Sequence, residues 1–338
     1  MSPPGALTPV VRLAPAKLNL TLAVLGRRKD GFHDLHSVMV PLAIADRLSF
    51  ARAATRLDSL HVTGDPDGRT PLDSSRFDSV LHGIAEARRV VGRGADTFPI
   101  AARLEKRLPI AAGLAGGSSD AAAAIDGAIE TWGAEDAVDR RARLRVAAAV
   151  GSDVPFFFAG GPALVEGRGE RVTPLVGITG APPGVLLVTP AVEASTRAAF
   201  AVFDADPAAA PAYRGSTRVT SEHLAAEWSP GYAPMDAAGL VSRAGVFAVA
   251  NDLAKAADIV VPGLRDLRRA LSRLLGVQVG LSGSGPTLWA LYPALEGAEA
   301  AAEKVRGELA LGLLDAPGSN PPFVAATVIV SQPARRPE

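Results

Sequence analysis

The chain has 338 residues, 35 Lys plus Arg against 35 Asp plus Glu, and 48% hydrophobic residues. That length favours two domains, and the zero formal charge removes the global attraction that drives non-specific binding to nucleic acid or anionic lipid. The absence of cysteine excludes disulfides, thiolate metal sites and cysteine nucleophiles.

The opening segment has no basic flank followed by an unbroken apolar run, so it does not read as a secretory signal and the cytoplasm is the expected compartment. The long uncharged stretches Val172 to Val192 and Leu274 to Leu295 are interrupted by Gly and Pro, which rules out spanning helices there. From Lys17 to Val24 apolar and polar residues alternate, the period of a half-buried strand, so Lys17, Asn19 and Thr21 share one face. Asp30-Gly31 marks a turn, strand character resumes from His36, and a polar loop is expected from about Gly64 to Ser75. Helical spacing over Phe77 to Val91 is followed by a strand over Asp96 to Leu104, a glycine-rich loop and a helix. A second helix is expected over Ala134 to Val150, then a buried turn and a strand pair. Beyond Thr179 strands and helices alternate, with a Pro-rich interval at Asp204 to Pro234. The succession predicts an α+β second domain, its helices on one face of a mostly antiparallel sheet.

Three segments carry chemistry. In Pro109 to Ala124, glycines and alanines open the backbone to an anion, and the helix that follows offers free N–H groups and its positive dipole end. This is either a phosphate cradle or an ordinary capped helix. Ser118 and Ser119 could cap it, bind phosphate oxygen or hold magnesium. Of the five lysines, Lys29, Lys106, Lys255 and Lys304 lie among polar neighbours and read as solvated. Lys17 sits in an apolar strand, where a buried ammonium needs a carboxylate or bound anion. Asp153, in an apolar segment of its own, is the candidate partner, as a structural ion pair or a catalytic one. The third segment, Gly280 to Thr287, is a tight hairpin or a backbone surface on which substrate rests.

Taken together, Pro15-Ala-Lys17-Leu-Asn19-Leu, Gly26 to His33, the loop from Pro109 with Asp120-Ala-Ala, Gly151-Ser-Asp153-Val-Pro-Phe-Phe and Ser282-Gly-Ser-Gly285 resemble the GHMP kinase superfamily over nearly the whole chain. The resemblance implies two domains, 1–178 like the second domain of ribosomal protein S5 and 179–338 ferredoxin-like, with the site between them. It implies transfer of the ATP γ-phosphoryl, with Mg2+, to an alcohol of a cytidine diphosphate-linked substrate in isoprenoid precursor synthesis. A small molecule is then the expected partner, with no nucleic acid and no membrane. Lys17 and Asp153 fall on the catalytic positions. Pro109, Ala112, Gly113, Leu114, Ala115, Gly116, Gly117, Ser118 and Ser119 fall on the ATP loop. Asn19, Phe32, His33, Thr196, Phe200, Gly283 and Ser284 fall on substrate-binding positions, His33 at the cytosine edge and Phe32 and Phe200 flanking the ring. No metal ligand is assigned.

Departures from the family pattern are Phe32 for tyrosine, Ala112 and Ala115 for loop glycines, Asp120 for asparagine, and Asp78-Ser79-Val80 in place of an asparagine-leucine pair. Alanine is expected in the loop only where φ is negative. Asp120 would repel nucleotide unless magnesium or a base stands between them. Other alcohols (homoserine, mevalonate derivatives, a sugar), a nucleotide sensor without catalysis and RNA binding are rival readings. The aromatics and His33 argue against the first, Lys17 with Asp153 against the second, and the dispersed charge against the third.

Overall fold

The computed structural model describes residues 9–64, 74–92, 98–206, 211–232 and 235–331. Strands β1 (Val10–Asn19), β2 (Ala23–Arg27), β3 (His33–Arg52) and β4 (Ser59–Thr63) precede helix α1 (Asp78–Val91). Then come β5 (Ile100–Glu105), α2 (Gly116–Thr131), α3 (Arg140–Val150), β6 (Ala163–Gly167) and β7 (Arg171–Pro174). The rest comprises β8 (Gly184–Thr189), α4 (Thr196–Ala205), α5 (Pro211–Glu227), α6 (Ala237–Ser242), α7 (Ala244–Val249), α8 (Ala254–Val260), α9 (Leu264–Leu275), β9 (Gly280–Leu281), β10 (Leu288–Tyr292), α10 (Leu295–Ala310) and β11 (Phe323–Val328).

The first seven strands form one sheet organised on β3. The start of β3 pairs with β2 and β6, and its end with β1 and β5. β4 joins the edge in parallel with β5. The last four strands form an antiparallel sheet in the order β11-β8-β10-β9, the interleaved order of the ferredoxin-like fold.

One core lies under α1 and α2 against Ala14, Leu48 and Phe50. A second core joins Leu18, Leu20, Val38 and Val40 of the first sheet to Leu224, Trp228, Phe247 and Trp289 from the later part of the chain. That second core explains a departure from the sequence reading: residues 16–24 are buried on both faces, not half-buried. The polar side chains of the alternating run therefore lie inside the protein, where each needs a partner.

Two further expectations are corrected. The helix predicted from Ala134 begins only at Arg140, after a short turn over Glu135–Ala137, because Asp139 caps it by accepting the Ala142 N–H at 2.6 Å. The Pro-rich interval contains α5, with Pro211 as its first residue, where proline's missing N–H costs nothing. Leu224, Ala225 and Trp228 are buried, and the Ser221 hydroxyl bonds Thr21 Oγ1 at 2.7 Å and His36 Nδ1 at 2.8 Å. The helix thereby seals the back of β2 and β3. Most of the loop predicted over Gly64 to Ser75 and the beginning of the strand predicted from Asp96 lie outside the described residues.

Candidate active site

Lys17 and Asn19 stand two residues apart on β1 and so face the same way. Lys17 Nζ donates to Asn19 Oδ1 at 2.7 Å and to the Gly113 carbonyl at 2.8 Å. The Asn19 amide donates to Ser37 Oγ at 2.8 Å, and Ser37 donates to the Thr21 carbonyl at 2.6 Å. This chain turns the Asn19 oxygen toward the ammonium. The Gly113 carbonyl also accepts the Ser282 hydroxyl at 2.9 Å. Gly113 has φ +75°, and a Cβ there would lie 2.3 Å from the Ser282 carbonyl oxygen, so only glycine fits. The opening strand, the glycine-rich loop and the Ser282 turn are thus joined at one carbonyl.

The loop backbone is tighter than the sequence suggested. Ala111 and Ala115 have φ of 53° and 54°, which corrects the expectation that Ala115 sits at negative φ. A left-handed alanine costs roughly 1–2 kcal/mol. Ala115 immediately precedes α2, and no side chain caps that helix; Ser118 and Ser119 lie inside its first turn. The N–H groups of Gly116, Gly117 and Ser118 therefore have no intrahelical acceptor and carry the positive end of the helix dipole. A Cβ on Gly117 would meet only Ser79 Oγ, at 3.8 Å, so this side of the backbone is open.

Two cavities converge here. One, of about 560 Å³, is lined by Lys17, Asn19, Pro109, Ala112, Gly113, Ala115, Gly116, Gly117, Gly283 and Ser284. The other, of about 940 Å³, is lined by Phe32, His33, Arg168 and Asp204 among others. Leu35, Ser118, Asp153, Thr196 and Phe200 line both. Of the residues expected on the ATP loop, Leu114 and Ser119 line neither. Leu114 is core and gives its carbonyl to the Lys17 N–H at 3.1 Å; the Ser119 hydroxyl is buried with no hydrogen-bond partner among the described residues.

Asp153 immediately precedes the short turn Val154–Phe158, whose first residue lines the smaller cavity. It reaches Lys17 through space, since the ammonium's hydrogen bonds go to neutral oxygens. Burial pushes the Lys17 pKa down and the Asp153 carboxylate pulls it back only in part, leaving it below the ordinary lysine value. An ammonium so placed is short of negative charge on the side that opens into the cavity.

On the far side, His33 is buried, places Nε2 in hydrogen-bond contact with the acceptor Asp204 Oδ1 at 2.8 Å, and stacks on Phe200 with ring centroids 4.5 Å apart and planes at 16°. One face of Phe200 is thereby occupied. Phe32 is exposed, with the Arg168 guanidinium 5.1 Å from its ring centroid. Thr196 Oγ1 and Ser284 Oγ lie 3.0 Å apart and link α4 to the Ser282 turn. Asn251, which sequence reasoning missed, holds that turn from behind: its amide donates to the carbonyls of Leu281 at 3.0 Å and Gly283 at 2.9 Å. Its only sequence signal is a polar pair, Asn251-Asp252, inside an apolar run.

The reading of Lys106 as a solvated lysine is overturned. Its side chain is 2% exposed and bonds both Asp46 and, at 3.0 Å, Asp120. Asp46 also accepts the N–H groups of Arg107 at 2.6 Å and Leu108 at 2.9 Å. Burial first, and repulsion from Asp46 after it, push the Asp120 carboxyl up to about 7 against the pull of Lys106. For Lys106 burial opposes the charge, yet Asp120 and Asp46 outweigh it and the ammonium is stabilised. The base that stands against Asp120 beneath the loop is therefore Lys106, though burial and Asp46 still favour a proton on Asp120.

Comparison with known proteins agrees with this geometry. Residues 80–161 match the GHMP kinases N terminal domain and residues 239–311 the GHMP kinases C terminal domain. The 4-diphosphocytidyl-2-C-methyl-D-erythritol kinase of Paramagnetospirillum magneticum is 36% identical over 298 residues, 86% of this chain and 92% of that protein. The kinase of the same name from Symbiobacterium thermophilum is 34% identical over 297 residues, 86% of this chain and 93% of the relative. A crystal structure of 4-(cytidine 5'-diphospho)-2C-methyl-D-erythritol kinase superposes with a TM-score of 0.63 at 27% identity, covering 94% of this chain and 99% of that one. Homoserine kinase from Cytophaga hutchinsonii, with a TM-score of 0.68 at 18% identity over 98% of both chains, shares the fold. With its cradle, its buried ammonium and its kin in one register, the chain belongs to the GHMP kinase family, in the group of the 4-diphosphocytidyl-2-C-methyl-D-erythritol kinases.

Proposed function

We propose that the chain transfers the γ-phosphoryl group of ATP to the 2-hydroxyl of 4-diphosphocytidyl-2-C-methyl-D-erythritol, a step in non-mevalonate isoprenoid precursor synthesis. The observation that carries this reading is the Lys17 ammonium, buried among neutral oxygens and open toward a cavity that also holds Asp153 and the amides opening α2.

The smaller cavity takes the nucleotide. The amides of Gly116, Gly117 and Ser118 supply donors for phosphate oxygens where the open face of Gly117 leaves room for them. The larger cavity takes the cytidine diphosphate end, with His33 and the aromatics Phe32 and Phe200 along it. The acceptor hydroxyl then lies where the cavities meet, beside Asp153. Asp153 accepts or orients the hydroxyl proton, and Lys17 offsets charge on the transferred group. Direct transfer is the reading that fits, since the sequence has no cysteine and among the described residues no histidine lines the smaller cavity.

Magnesium, when bound, would offset phosphate charge. It would be carried on the nucleotide phosphates, with the Ser118 hydroxyl, which lines the cavity, as the protein oxygen that could hold it. Zero net charge supports a small-molecule partner over nucleic acid. No helix among the described residues is long and apolar enough to cross a membrane, and the cytoplasm, where ATP is supplied, is the inferred setting.

The test supplies ATP with the cytidyl alcohol, homoserine or mevalonate and follows ADP release. The reading expects turnover with the cytidyl alcohol at least a hundredfold above the others; equal rates with homoserine would overturn it.

A further inference from the structure

His33 has two ring nitrogens, and the structure commits one of them. Nε2 lies 2.8 Å from Asp204 Oδ1, and the other oxygen of Asp204 lies 3.8 Å from the Arg27 guanidinium. A carboxylate beside an arginine can only accept, so the proton of the neutral imidazole resides on Nε2 and Nδ1 is left as an acceptor. The ring cannot turn to exchange the two atoms freely: it is buried and stacked on Phe200. His33, Phe200 and Asp204 all line the larger cavity, and among the described residues no hydrogen bond involves Nδ1. Phe200 and Asp204 are four residues apart on α4, which sets the stacking ring and the carboxylate on one face of that helix.

Resting on the cytidine reading of that cavity, we propose that Asp204 is a positioning residue that fixes the His33 tautomer and thereby selects the base. An acceptor at Nδ1 pairs with a ring substituent that donates, the exocyclic amine of a cytosine, and opposes the carbonyl that uracil carries at the same position. The residue touches no reacting atom; it decides which polarity His33 presents.

Asp204→Asn reverses that polarity, because an amide can donate to Nε2 and so place the ring proton on Nδ1, whereas Asp204→Glu keeps an acceptor. The experiment measures calorimetric binding of CDP and UDP at pH 8, which needs no turnover. The wild type is expected to bind CDP at least tenfold more tightly than UDP. Asp204→Asn should cut that preference at least tenfold, and Asp204→Glu should keep most of it. A wild type with no preference, or an Asp204→Asn variant with its preference unchanged, would overturn the proposal. Should Asp204→Asn fail to fold, the ¹⁵N spectrum of the wild-type His33 ring decides: a proton on Nε2 supports the assignment and a proton on Nδ1 contradicts it. CDP selectivity without transfer to the alcohol would defeat the kinase reading and leave the tautomer assignment standing.

Discussion

Lys17 and Lys106 line the same cavity and are both almost fully buried, yet their surroundings oppose one another. Lys106 sits between two carboxylates and its charge is overcompensated, so the excess is absorbed by a proton held on Asp120. Lys17 has two neutral oxygens and a carboxylate at a distance, so its charge is undercompensated. A buried ion pair that satisfies itself holds structure together, whereas a buried cation left short of charge is poised to receive an anion.

The contrast fails if the two lysines respond alike to removal. Lys17→Met should lower turnover about a thousandfold, the scale of one electrostatic contact in a transition state, while leaving the melting temperature unchanged or slightly raised, since a costly buried charge is gone. Lys106→Met should do the reverse: it leaves the buried Asp46 carboxylate without its cation, beside the protonated Asp120, and should cost about 3–5 kcal/mol of stability, read from denaturant unfolding. Loss of stability in the first variant, or its absence in the second, would erase the distinction.

Asp120→Asn sharpens the same point through pH. The folded chain keeps a proton on Asp120 up to about 7, while the unfolded chain releases it in the ordinary carboxylate range. The stability contributed by this carboxyl is therefore complete at acid pH and is lost as pH rises toward 7. Thermal unfolding of the wild type should show that decline and Asp120→Asn should flatten it; parallel curves would contradict the assignment. The smallest effect belongs to Ala115→Gly, which relieves a left-handed alanine before α2. It should shift stability by about 1 kcal/mol or less, because the gain is offset by glycine's freedom in the unfolded chain.

The same two residues show how far the sequence could be read. Lys17 stands in an apolar run, and that local conflict between charge and surroundings was visible without coordinates. Lys106 stands in Glu105-Lys-Arg107, a run that looks solvated. Its partners come from positions 60 and 14 residues away, and local polarity carries no trace of them. The strands followed from alternation and the loop from its glycines. What alternation could not show was that the second face of β1 and β2 is covered by a later part of the chain, nor that a Pro-rich interval closes on them as α5. The left-handed Ala111 and Ala115 were likewise hidden, since alanine in a sequence argues for negative φ. The pairing of His33 with Asp204, 171 residues on, is a tertiary fact of the same kind.

The central claim is that Asp153, at the meeting of the two cavities, handles the acceptor hydroxyl opposite Lys17. Its most direct test is single-turnover phosphoryl transfer by Asp153→Asn, with ATP and cytidyl alcohol affinities measured on the same variant. The account predicts a rate lower by about a thousandfold or more with both affinities within a few-fold of the wild type. A variant that transfers the phosphoryl group at the wild-type rate would contradict it.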